Sequence, residues 1–173
     1  MNTKKAKAAA SLILALLCNS SLAKNQPTYI ESSLCLQKER IILSFKTAQK
    51  KKLASICAGP ENSYLVYRYG NQDSVELTYP KAQDSESWKN FSFSSYTRAA
   101  GESNDPKGNY EIVFTNNNTE YSIYQDWGSK SDYEVGIIIN DKGKNYKILG
   151  ISKSQTGSLS RLESFKDLLA NQQ

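Results

Sequence analysis

Four glutamates, Glu76, Glu111, Glu120 and Glu134, fall in short stretches rich in Tyr, Val, Ile and Thr. Two strand carboxylates that converge in one cleft could act as the acid and base of a glycoside hydrolase. Strand carboxylates of a β-protein usually face solvent, however, so the pair needs a cleft to support it. The chain contains no histidine, which excludes Ser-His-Asp and Cys-His nucleophile arrangements. The single glycines of "GNYEIVF" and "GSKSDYE" belong to strands and turns, and no Gly-rich phosphate loop is present. "NDKGK" (140–144) lacks the spaced acids of a calcium loop, and "SNDPKGN" (103–109) reads as a turn. Asn90-Phe91-Ser92 and Asn117-Asn118-Thr119 match the glycosylation sequon by chance. The residues therefore predict no metal, no cofactor and no enzyme of the common classes.

Recognition chemistry has better material. Arg68 stands between Tyr67 and Tyr69 in "YLVYRYG", and Tyr and Arg are enriched at binding hot spots. The competing reading is an ordinary hairpin. If Arg68 lies opposite Glu76, then Leu65, Tyr67 and Tyr69 share a face with Val75, Leu77 and Tyr79, and arginine and glutamate form a cross-strand ion pair. A four-residue loop would instead set Arg68 on the face of Val75 and Leu77, at a desolvation cost. Two aromatic regions add candidates. In the first, Phe91 and Phe93 alternate with serines and read as core. Trp88 lies in the polar stretch "QDSESWKN" and reads as exposed, and Tyr96 and Arg98 follow. The second contains Tyr121, Tyr124, Trp127 and Tyr133. There a Tyr124–Trp127 pair could stack on a sugar or enter a protein cleft, whereas the burial of a large aromatic favours Trp127 packed over the end of the fold. The binding candidates are thus Arg68, Glu76, Arg98, Tyr124 and Trp127.

The elements that must position these residues are strands. Apolar-polar alternation bounded by Gly, Asn, Asp and Pro predicts strands near 39–46, 53–58, 63–70, 74–79, 90–98, 109–115, 119–126, 132–140 and 145–151. Register supports two hairpins, because a one-residue slip would turn every side chain over. Around Asn117-Asn118, Phe114 faces Tyr121 and Ile112 faces Ile123, with a two-residue turn that tolerates positive φ. Around Asp141–Lys144, Ile139 faces Tyr146 and Ile137 faces Ile148. The fold class expected is all-β, an antiparallel meander of about 8–9 strands forming a barrel or sandwich. One C-terminal helix over 158–170 is expected, capped by Ser158 and presenting Leu159, Leu162, Phe165, Leu168 and Leu169 on one side. It would close one end or cover a sheet face, or bind a partner.

The N-terminus reads as an address. Lys4, Lys5 and Lys7 precede an apolar run from Ala8 to Cys18, and Ser21-Leu22-Ala23 supplies small residues at the −3 and −1 positions. This is a secretory signal peptide over 1–23, and its apolar run is too short to span a membrane. Leu17 before Cys18 disfavours lipid attachment there. An N-terminal extension over 24–34 and a single domain over 35–173 follow. Cleavage removes three of the 22 cationic residues, leaving 19 against 17 acids, a net charge of +2. The basic balance of the full chain thus comes partly from the signal, and a nucleic-acid partner is not expected. Lys50-Lys51-Lys52 reads as a solvated turn. Cys35 and Cys57 remain. In an oxidising compartment this pair predicts a disulfide, worth about 3 kcal/mol for a loop of roughly 20 residues.

"SSLC", "ERIILSF", "KKLASICAG", "YLVYRYG", "VELTYP" and "SYTRAAGESN" together span roughly residues 33 to 126. In these stretches the chain resembles a group of small secreted proteins of Gram-negative bacteria that has no assigned activity. The resemblance rests on Cys35, Cys57, Arg68, Gly70, Glu76, Pro80 and Arg98. It implies a periplasmic or secreted β-domain and brings no catalytic residue. Similar proteins often carry cysteine where this chain has Phe45 and another near the C-terminal strand. The absence of both here fits the loss of one whole disulfide. The function expected is non-enzymatic binding of another protein of the envelope or extracellular space. The roles in view are inhibition of, or protection against, a cell-envelope hydrolase, with a loop carrying Arg68, Arg98 or Trp127 occluding an acidic cleft. The alternatives are a β-barrel holding a small apolar or glycan ligand, and a carboxylate-only hydrolase.

Overall fold

A computed structural model describes residues 27–101, 105–128 and 133–170. The expected signal peptide lies outside the described residues. Among the described residues, ten strands form two five-stranded antiparallel sheets. In the first sheet β1 (Arg40–Lys46), β2 (Leu53–Ala58), β3 (Leu65–Asn71) and β4 (Ser74–Tyr79) run as a meander. The two-residue β10 (Thr156–Gly157) pairs with the free side of β1. The second sheet is the meander β5 (Ser92–Arg98), β6 (Lys107–Asn116), β7 (Thr119–Gly128), β8 (Glu134–Asp141) and β9 (Lys144–Leu149). The architecture is therefore a sandwich rather than a barrel.

Alternation decides which faces meet. Leu43, Phe45, Ala54, Ile56, Leu65 and Tyr67 of the first sheet share one core with Phe93, Ile112, Phe114, Ile123, Val135 and Ile137 of the second. Phe114 sits centrally, stacked on Tyr79 at 4.5 Å and on Tyr121 at 5.0 Å between ring centres. Two hairpins have the register that alternation predicts. Phe114 pairs with Tyr121 and Ile112 with Ile123, while Ile139 pairs with Tyr146 and Ile137 with Ile148. Asn117 and Asn118 both take positive φ, which a two-residue hairpin turn requires.

The β3–β4 hairpin departs from expectation. Asn71 pairs with Ser74 and Gly70 with Val75, but the next pair is Tyr69 with Leu77. Glu76 is the extra residue of a bulge, which Gly70 accommodates with φ +139°. Arg68 consequently faces Thr78, not Glu76.

The C-terminal segment differs in kind. Residues Leu159–Leu168 wind as a 3-10 helix broken at Phe165, with Ser158 accepting from the Ser160 backbone N–H at 3.2 Å as its cap. A three-residue repeat aligns Leu159, Leu162 and Phe165 toward the core, and beyond the break Leu168 turns outward. Trp88, expected to be exposed, is buried. Its indole N–H donates to the Asn62 carbonyl at 2.9 Å and its ring packs on Phe165 at 5.4 Å.

Candidate functional site

Arg68 lies on the outer face of the first sheet, under an N-terminal strap. Its guanidinium grips Glu39 through two bonds of 2.6 and 2.8 Å and donates to the Leu34 carbonyl at 3.0 Å. The Arg68 and Glu39 side chains are only 5% and 1% exposed. Tyr64 donates to the same carboxylate at 2.7 Å. Burial, then this bond to Glu39, pushes the Tyr64 phenol up to about 12. Neighbouring positions on the strands and in the β3–β4 turn hold the strap too. The Ser55 hydroxyl accepts from the Leu34 N–H at 3.0 Å, Ser44 donates to the Ser32 carbonyl at 3.1 Å, and the Gln72 amide donates to the Ser33 carbonyl at 2.8 Å. The Cys35–Cys57 disulfide fastens the strap covalently. The polar residues of this sheet face are thus consumed in holding the chain's own N-terminal segment. The expected Arg68–Glu76 pair is corrected: Glu76 pairs instead with Lys52, at 2.5 Å.

The remaining candidates are dispersed. Tyr124 and Arg98 lie on the outer face of the second sheet. The Tyr124 ring lies across Gly136, its cross-strand partner, and its hydroxyl donates to Glu134 at 2.6 Å. Burial foremost, with that bond, drives the Tyr124 phenol far up. Glu134 is held below the ordinary carboxylate range by Lys147, at 2.6 Å, and then by Tyr124. Arg98 donates to the Asp105 carbonyl at 2.9 and 3.2 Å. Trp127 is half-buried on the inner face, seated over Gly108 and tilted on Tyr110 at 4.9 Å. It packs at the end of the fold, and no stacked Tyr124–Trp127 pair forms because strand residues an odd number of positions apart point to opposite faces.

The strand carboxylates are divided between the two sheets. Glu76 belongs to the first sheet, while Glu111, Glu120 and Glu134 alternate onto the outer face of the second. Glu111 accepts from the Ser122 hydroxyl. Cys35, Cys57 and Glu39 bring potential ligand atoms within 4.8 Å of one another, but the sulfurs are joined as a disulfide, so they offer no thiolate to a metal.

One concave site, with mostly apolar walls, lies between the sheets. A crevice of about 200 Å³ opens where Tyr67, Tyr69 and Leu77 of the first sheet face Tyr121, Ile137, Ile139 and Ile148 of the second. Glu76, whose side chain is 42% exposed, stands at its mouth with Lys52. Lys52 Nζ also lies 5.7 Å from the centre of the Tyr69 ring, and its pKa is raised, chiefly by the bond to Glu76. Sequence reasoning placed Tyr67, Tyr69 and Leu77 on one face, and Ile137, Ile139 and Ile148 on another. Which faces meet, and where they part, is not written in any one hairpin.

Comparison with known protein families, curated proteins and solved structures gave no match. Among the described residues, no helix is long and apolar enough to cross a membrane. The disulfide fits an extracellular or periplasmic protein.

Proposed function

We propose that the chain is a non-enzymatic binding protein of the periplasm or extracellular space, exported by its first 23 residues, whose ligand is a small apolar molecule held between the sheets. The crevice carries this reading. Its walls are apolar or aromatic, its single carboxylate stands at the mouth, and its volume of about 200 Å³ is of the size that admits one ring or a short chain. Larger drug-like ligands take sites of roughly 300–1,000 Å³. The test is a titration of the mature protein, residues 24–173, with small hydrocarbons such as toluene, read on the methyl resonances of Ile137, Ile139 and Ile148. Saturable shifts confined to these methyls, and lost when Leu77→Trp fills the space, support the reading. Flat resonances up to the solubility limit of the probes remove it.

A second reading, inhibition or protection against an envelope hydrolase, rests on one observation. At the Arg98 end of the second sheet Tyr96 is 51% exposed, with Lys107 Nζ 5.6 Å from its ring centre. Two cations beside an exposed tyrosine suit an acidic protein cleft. Arg68, buried with Glu39, takes no part. Capture from envelope and secreted fractions in moderate salt should retain one stoichiometric protein, and Tyr96→Ala with Arg98→Ala should release it. Retention unaffected by the double substitution would place any partner elsewhere.

A further inference from the structure

The crevice is apolar in its walls but not in its depth. Tyr67 is only 1% exposed, and no described group bonds its hydroxyl. Yet no side-chain oxygen or nitrogen among the described residues is both sealed from a water-sized probe and without a partner. The small remaining exposure of Tyr67 therefore includes its hydroxyl, and Tyr67 lines the crevice. Elsewhere three phenols find partners, while those of the half-buried Tyr29, Tyr79 and Tyr110 have none among the described residues. Tyr64 bonds Glu39 at 2.7 Å, Tyr124 bonds Glu134 at 2.6 Å, and Tyr133 bonds Gln155 at 2.6 Å. The crevice tyrosines Tyr67, Tyr69 and Tyr121 have no such partner among the described residues. All three tyrosines line the crevice, and burial pushes the Tyr67 phenol well up, with Tyr69 and Tyr121 adding to the shift.

On the reading that the crevice is a ligand site, we propose that it selects small neutral molecules carrying one hydrogen-bond-accepting oxygen, such as a ketone, aldehyde or lactone, with that oxygen taken by the Tyr67 hydroxyl beside Tyr69 and Tyr121. Three arguments define the class. A buried donor left unbonded is costly, and an acceptor on the ligand removes that cost. An anion is disfavoured because no cation lines the crevice among the described residues, because Lys52 beside Tyr69 is already engaged by Glu76 at 2.5 Å, and because an unpaired charge is expensive among isoleucines and aromatic rings. The volume limits the remainder to one ring or a chain of comparable bulk.

The experiment compares acetophenone with α-methylstyrene, which replaces the carbonyl oxygen by a methylene of the same shape, and with benzoate. Binding is read on the Ile137, Ile139 and Ile148 methyl resonances of wild type and Tyr67→Phe. Tyr67→Phe is expected to weaken acetophenone about 5- to 10-fold, the worth of one buried hydrogen bond, and to leave α-methylstyrene unchanged. If both probes bind and Tyr67→Phe shifts neither, the crevice reading stands and the acceptor inference falls. If neither probe binds wild type, both fall. Benzoate binding more tightly than acetophenone overturns the preference for neutral ligands. Should Tyr67→Phe fail to fold, the wild type decides: acetophenone bound several-fold more tightly than α-methylstyrene supports the inference, and equal affinities overturn it.

Discussion

Arg68 and Glu39 form a two-pronged ion pair across 29 residues of chain, with both side chains buried between the first sheet and its N-terminal strap. The carboxylate also accepts from the Leu36 N–H and the Tyr64 hydroxyl. Removing one partner strands the other charge, at a cost of about 3–5 kcal/mol for a buried pair. Arg68→Met and Glu39→Leu should each show that loss in urea unfolding. The double variant should lose clearly less than the sum, because no charge is left unpaired. Additive losses would show that the two side chains act independently.

The strap has two fastenings of different kinds, the ion pair and the Cys35–Cys57 bridge, whose cysteines are 22 residues apart. Replacing both cysteines by serine should cost about 3 kcal/mol in the chain-entropy model. It should also open residues 28–38 to protease before the sheets yield, since the Arg68–Glu39 pair and the polar contacts of Ser44, Ser55 and Gln72 must then hold them without a covalent tie. A variant whose strap and sheets are cut together would show that the strap is part of the sandwich's own cooperative unit.

These relationships mark where sequence reading succeeds and where it stops. The hairpins at Asn117-Asn118 and Lys142-Gly143 were legible because turn chemistry and alternation fix register locally. The β3–β4 hairpin follows the same rules but carries a bulge, and one extra residue moved Glu76 away from Arg68. Glu39, the true partner, reaches Arg68 only when the strap folds back, which no local pattern announces. Trp88 looked exposed because its sequence neighbours are polar, whereas its burial depends on the Asn62 carbonyl and Phe165, both remote in sequence. The C-terminal leucine spacing fitted either helix type for its first turns, and the break at Phe165 separated the two.

Trp127 sits over Gly108, where a Cβ would run into the indole ring. Gly108→Ala should therefore lift the ring and cost about 1–3 kcal/mol as an overpacked contact. Iodide quenching reads the displacement directly, because Trp88, the second tryptophan, is buried and contributes little to the quenchable emission. An unchanged quenchable fraction, together with unchanged stability, would mean that the indole does not rest on this glycine.

Tyr64 gives the alkaline limit of the strap. Its phenol is raised from 10.0 to about 12 by burial and by Glu39. The unfolded chain loses that proton first, so the stabilisation is complete below pH 10 and is lost as pH rises toward 12. Urea midpoints should fall over that interval, and Tyr64→Phe should make the fall shallower. An identical slope in the variant would assign the alkaline loss to the other raised phenols, Tyr67, Tyr79 and Tyr124.

Glu134 gives the acid counterpart on the opposite sheet. Lys147 is the larger cause of its lowered pKa and the Tyr124 hydroxyl the smaller. A carboxyl held low in the folded state stabilises above its ordinary pKa, and the gain disappears as pH falls through the lowered value. The pair is partly exposed, with side-chain exposures of 51% and 36%, so its effect on stability is screened and small. The titration itself is the better readout. Carboxyl carbon shifts should show Glu134 moving back toward the ordinary carboxylate range in Lys147→Ala, and by a smaller step in Tyr124→Phe. A larger step in Tyr124→Phe would reverse the order of the two causes and make the phenol the principal anchor of this carboxylate.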